Sequence, residues 1–270
     1  MEFVNRNASK LRIGAVQYLN SRPLIECLPA LFPHARIEVD VPSRLADGLA
    51  EGRFDVALVP SIEAFRLTGA TIVADACVAC DGPVRSVKLL GRVPPEAITT
   101  LAVDEGSRTS AALARILLKE QHALQPQLQP LPIGASVEDS SADAVVLIGD
   151  RAMTPCNGQY HFVWDLGHQW RQWTGLPFVF AMWTAAPGID PAPLADRFAE
   201  ARNRGVALTG QIAQRAAREL GISADQCRDY LDNSLIFRLG TRQREGLARF
   251  AQLAIKHGLA PQEALLVCDR

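Results

Sequence analysis

The sequence predicts an α/β protein of two lobes with a ligand cleft between them. Short apolar runs alternate with helix-patterned segments over the first third, which implies parallel strand pairing. A strand-rich middle follows, and after one more strand the pattern turns helical almost to the end. With 270 residues the chain can form one large domain or two modest lobes.

Leu11 to Val16 reads as a buried strand, Arg36 to Val41 as a second and Phe54 to Val59 as a third. Pro23 suits the first turn of a helix running toward Phe32. In "PSRLADGLAEG", Ser43 is the expected N-cap, Leu45 and Leu49 form an apolar face, and Gly52 stops the turn. Thr71 to Cys80 and Val84 to Leu90 are strands flanking an Asp81-Gly82-Pro83 turn. "ITTLAVDEG" supplies another strand, and a helix is expected from Thr109 to His122. Gln125 to Pro132, with three prolines, reads as a loop leading into an extended run. "ADAVVLIGD" and "GLPFVFAMW" are the remaining strands, and from Pro191 onward helical spacing dominates, Thr241 to His257 included. Such an order suits a chain that crosses to a second lobe and returns, as in the periplasmic-binding-protein class. The expected division is 1–90 with 185–270 in lobe one, and 91–184 in lobe two.

Hydrophobic residues make up 48% of the chain and charged residues 21%, an ordinary globular balance. A net charge of −1 gives no electrostatic footprint for nucleic acid or an anionic membrane. No apolar run reaches the ~18–20 residues of a membrane span, and Met1 to Lys10 lacks the apolar core of a signal peptide, so a cytoplasmic location is expected. The six cysteines (Cys27, Cys77, Cys80, Cys156, Cys227, Cys268) read as reduced thiols filling small apolar sites; the Cys77–Cys80 pair has no second pair or His at zinc spacing.

Five segments place polar groups where a strand ends or a helix begins. Tyr18, Asn20 and Ser21 lie between a strand and a Pro-started helix; capping and ligand contact both explain them. Ser61 opens a helix in the same way. In "GPVRSVKLL", alternation sets Arg85 and Val87 on one face against Ser86 and Lys88 on the other, lining a cleft or a solvated edge. Ser107, Arg108, Thr109 and Ser110 sit at the start of a strong helix, where N–H groups, hydroxyls and the dipole suit an anion; they also suit plain capping. Gly149 and Asp150 end a strand, Asp150 serving as an acid or base or as a helix-start carboxylate. Trp170, Trp173 and Phe178 are core or pocket wall. No glycine-rich phosphate loop, G-x-S-x-G or H-E-x-x-H is present, so the residues alone reach an α/β protein with a cleft for a small anion, binder or enzyme.

Taken together, "IGAVQYLNSRPL", "VPSRLADGLAEGRFDVALVPSIE", "GPVRSVKLL", "LAVDEGSRTSAALARILL", "DAVVLIGDRAM" and "DLGHQWRQWTGLPFVFAMW" resemble, in order, the chorismate dehydratases of the futalosine route to menaquinone. The resemblance covers about Leu11 to Trp183. It implies a type II periplasmic-binding-protein-like fold and a hydro-lyase that needs no metal or other cofactor, converting the dicarboxylate chorismate to 3-[(1-carboxyvinyl)oxy]benzoate. It further implies Asn20 and Ser86 as catalytic residues. Tyr18, Ser21, Ser61, Arg85, Ser107, Arg108, Thr109, Ser110, Gly149, Asp150 and Thr174 are the implied substrate contacts. The helix start would grip one carboxylate, with Asn20 and Ser86 at the enolpyruvyl side or the departing hydroxyl. Competing expectations are a non-catalytic anion binder of the same fold, the related dihydroxynaphthoate synthase, and the effector domain of a transcription regulator.

Overall fold

The computed structural model describes residues 10–154 and 158–268; the polar stretch 1–9 and Cys156 lie outside them. Strands β1 (Arg12–Val16), β2 (Arg36–Asp40), β3 (Val56–Pro60), β4 (Thr71–Cys80) and β5 (Val87–Gly91) come first along the chain. Then follow β6 (Thr100–Asp104), β7 (Gln127–Leu131), β8 (Ala144–Ile148), β9 (Phe162–Asp165), β10 (Phe178–Ala185) and β11 (Ile236–Arg238). They form two sheets: six strands in the order β11-β4-β10-β3-β1-β2, and five in the order β7-β6-β8-β5-β9. Helices flank both, giving a two-lobed α/β fold.

In the first lobe β1 pairs parallel with β2 and β3, as the strand–helix alternation predicts. The crossover helix Pro42–Ala50 buries Leu45 and Leu49, and Gly52, at φ 72°, ends the turn beyond it. Ser43 does not cap: Pro42 starts the helix after an extended Val41, and no side chain caps it. Instead the Ser43 N–H donates to the Gly106 carbonyl of the other lobe at 3.3 Å.

Strand pairing moves the lobe boundaries. β5 pairs antiparallel with β8 and β9, so it belongs to the second sheet rather than to 1–90. β10 runs antiparallel between β3 and β4 in the first sheet, rather than within 91–184. All eight β10 residues are buried, which accounts for its unbroken apolar run, but burial on two faces does not reveal which sheet a strand joins. The chain therefore crosses between lobes near 84–87 and 174–178. The segment read as a loop at Gln125 to Pro132 holds β7, at the outer edge beside β6, where Pro130 removes no central ladder bond. The helical tail also contains one short strand, β11, against β4.

Trp170 and Phe178 are core: their rings meet edge to face at 5.1 Å, and Phe178 meets Phe250 at 4.9 Å. Cys27, Cys77, Cys80 and Cys227 are free thiols; burial pushes Cys77 upward and Cys80 up to about 12, so neither ionises readily. Among the described residues no helix is long and apolar enough to cross a membrane.

Helix Ala192–Ala207 crosses the first-lobe surface so closely at Gly205 that an added methyl would collide with the backbone carbonyl of Pro23. A Gly205→Ala variant is therefore expected to lose about 1–3 kcal/mol. Chemical denaturation checks this as a lower midpoint at unchanged slope; an unchanged midpoint would show that the helix shifts freely.

Candidate active site

A cavity lies where the two sheets face each other. The first lobe contributes Val16 at the end of β1, Tyr18 and Asn20 just beyond it, Leu58 and Pro60 of β3, and Phe180 of β10. The second lobe and the crossing contribute Ser86, Val87, Ser107, Thr109, Ser110, Ile148 and Gly149. The wall is thus mostly apolar with a few convergent polar groups, the usual character of a small-molecule site.

Ser86 reaches the cavity through an unusual backbone. Arg85 adopts φ 63°, a left-handed conformation rare outside glycine, which turns its side chain outward and Ser86 inward. The carboxylate of Asp165 fixes this turn by accepting from the N–H groups of Val84 and Arg85 at 2.9 and 2.5 Å. The same carboxylate caps helix Leu166–Thr174 through His168 N–H at 3.0 Å. Ser86 is 1% exposed, and its hydroxyl accepts from the hydroxyl of Tyr230 at 2.7 Å.

Asn20 stands in a short helical turn, Leu19–Ser21, held from both lobes. Asp150 accepts from the Leu19 N–H at 2.9 Å, and Ser21 Oγ donates to the Val16 carbonyl at 2.6 Å. Three buried side-chain polar atoms among the described residues lack a partner: Asn20 Oδ1, Thr71 Oγ1 and Trp183 Nε1. Of these, only Asn20 lines the cavity. A buried unpaired acceptor costs about 1–3 kcal/mol, so this one is poised for a ligand donor. Tyr18 lies across Gly149, its ring filling the space a Cβ would need, with its hydroxyl toward Gly106. Burial and the nearby Asp104 push the Tyr18 phenol up to about 12.

On the far wall the helix Thr109–His122 points its N-terminus inward. Ser107 Oγ accepts from Ser110 N–H at 3.3 Å, and Thr109 Oγ1 accepts from Ile62 N–H of the first lobe at 3.2 Å. Positive potential at this wall comes from N–H groups and the helix dipole, since no Lys, Arg or His lines the cavity among the described residues.

Tyr18, Asn20, Ser86, Ser107, Thr109, Ser110 and Gly149 therefore share one cavity, while the other expected contacts do not line it. Ser21 spends its hydroxyl on main-chain carbonyls, as does Ser61, which donates to Val179 O at 2.8 Å. Arg85 faces outward to Asp229. Arg108 bridges the lobes instead, at 2.8 Å from Asp47 and 3.1 Å from Glu63. Asp150 holds the Leu19 backbone, its burial raising the carboxyl above the usual range. Thr174 ends a helix and donates to Trp170 O at 2.8 Å. Sequence reasoning missed Asp165, whose N-cap signal is legible before "LGHQW", and Tyr230, which carries no local signal.

Two sheet lobes, two crossings and one shared cavity define a periplasmic-binding-protein-like molecule of the type II class. The periplasmic aliphatic sulphonate binding protein of Escherichia coli has the same fold, with a TM-score of 0.61 at 17% identity over 97% of both chains. In sequence, residues 11–256 match the family described as menaquinone biosynthesis. A chorismate dehydratase from Thermus thermophilus is 31% identical over 89% of this chain and 93% of its own. One from Campylobacter jejuni is 26% identical over 88% and 95%. The chain belongs to the menaquinone-biosynthesis family.

Proposed function

We propose that this protein is a chorismate dehydratase, a hydro-lyase that forms 3-[(1-carboxyvinyl)oxy]benzoate at the head of the futalosine route to menaquinone. One observation carries the assignment beyond family membership: Asn20, Ser86 and the Ser107–Ser110 helix start converge on a single largely apolar cavity. That pairing suits a ring flanked by two carboxylates.

The chemistry asks little of a general base. The ring carbon bearing the ether gives up its proton, the C–H electron pair enters the ring, and hydroxide leaves the adjacent carbon with the pair of the broken C–O bond. Aromaticity drives the reaction, so alignment and charge stabilisation supply most of the catalysis. The enolpyruvyl carboxylate is itself close enough in the substrate to take the proton, and returns it to the departing hydroxide as water. Asn20 has no useful basicity; its part is hydrogen bonding to that group. Ser86 contacts the same group, and the helix start holds the ring carboxylate without a cationic side chain. A cytoplasmic setting belongs to the proposal, since the substrate is an intracellular metabolite.

Incubation with chorismate, followed by mass spectrometry, tests it. Loss of one water to give the benzoate is expected. Chorismate recovered unchanged would indicate a binder, and turnover of a cyclic futalosine-type substrate instead would indicate the related synthase.

A further inference from the structure

We infer that Tyr230 is a positioning residue that sets the hydrogen-bond polarity of Ser86, leaving its donor beside the unpaired acceptor of Asn20, both aimed at the reacting carboxylate. The inference rests on the functional reading above and extends it to a residue outside the cavity wall.

Tyr230 is fully buried and belongs to a π-helical turn, Tyr230–Ser234, an irregularity that recurs at functional sites. Its neighbour Asp229 pairs with Arg85, while Tyr230 itself reaches Ser86, so two consecutive residues of the tail brace two consecutive residues of the crossing. A phenol has one proton, and Tyr230 gives it to Ser86 Oγ at 2.7 Å. The Ser86 proton is then left for the cavity. Asn20 Oδ1 is buried without a partner on the same cavity wall, so an unpaired acceptor stands beside the Ser86 donor.

A donor from Ser86 and an acceptor from Asn20 match a carboxyl group that bears one proton. Ser86 donates to one oxygen at every stage. Asn20 Oδ1 faces the other, and gains a hydrogen bond only when the ring proton arrives there. An interaction made at that stage lowers the barrier without tightening substrate binding. Were the amide reversed, Nδ2 would favour the bare carboxylate and hold the ground state instead. Tyr230 thus has a kinetic signature: losing its hydroxyl should lower kcat and leave KM nearly unchanged.

Tyr230→Phe keeps the ring and removes one oxygen. Against chorismate we expect kcat to fall roughly 10- to 100-fold with KM within about threefold. Because Tyr230 acts through Ser86, Tyr230→Phe added to Ser86→Ala should cost little beyond Ser86→Ala alone. Full kcat in Tyr230→Phe, or losses that multiply in the double variant, would overturn the assignment; so would a lower thermal midpoint with intact kcat, the mark of a purely structural role. If the phenylalanine variant does not fold, position 86 carries the test. Ser86→Thr retains the oxygen that accepts from Tyr230 and should keep turnover within about tenfold. Ser86→Ala removes the donor that faces the cavity and should lose about 100-fold or more. Equal turnover by these two variants would overturn the assignment. A wild-type protein that leaves chorismate intact defeats the functional reading and this assignment with it; an active wild type with an equally active Tyr230→Phe defeats the assignment alone.

Discussion

Replacing Asn20 with alanine is expected to lower kcat for chorismate by about 100-fold or more while leaving the fold intact. The side chain sits where orientation matters and where the protein gives its oxygen no partner. Truncation removes a buried unsatisfied acceptor, which offsets the loss of the amide's contact with Tyr230. The turn that carries it is held by the Leu19 N–H to Asp150 and by Ser21 Oγ to the Val16 carbonyl, neither of which involves the Asn20 side chain. The thermal midpoint should therefore hold or rise. Steady-state kinetics with a melting curve check both halves, and wild-type turnover would remove Asn20 from the reaction.

Gly149→Ala is expected to damage stability and activity together. At φ 74° and ψ −160° the residue occupies a region essentially confined to glycine, and alanine there costs about 1–3 kcal/mol. The new Cβ would also lie 2.8 Å from the Tyr18 ring, which has to swing away. Tyr18 immediately precedes the turn carrying Asn20, so the displacement passes directly into the cavity. Turnover should fall at least tenfold, in line with the cost of ångström-scale misplacement. A variant that melts early but turns over normally would show that Tyr18 is dispensable to the site.

The α/β class was legible because apolar runs and helical spacing are local properties, and the strand-to-helix junctions at Asn20 and Ser107–Ser110 announced themselves in the same way. Junction chemistry does not say where a hydroxyl points. Ser61 shares the junction pattern of the cavity hydroxyls, yet its hydroxyl is consumed by a β10 carbonyl, a contact fixed by strand order. Arg85 and Arg108 looked like natural anion ligands; both face carboxylates that lie far away in sequence. β11 has three residues and β7 carries a proline, too little pattern to separate either from its surroundings. Tyr230 was hidden for a simpler reason: 144 residues separate it from the serine it serves.

Among the contacts that join the lobes are Ser43 N–H to Gly106 O, Leu19 N–H to Asp150, Ile62 N–H to Thr109, Arg108 to Asp47 and Glu63, and Lys256 and His257 to Glu120. All of these but the Glu120 contacts lie on, or directly beside, a segment that also furnishes the cavity. Prising the halves apart to admit a guest must dismantle the very surface that recognises it, and that surface is whole again only once the door has shut. Were the halves to part in this way, capture of a guest and assembly of the recognising surface would be a single event.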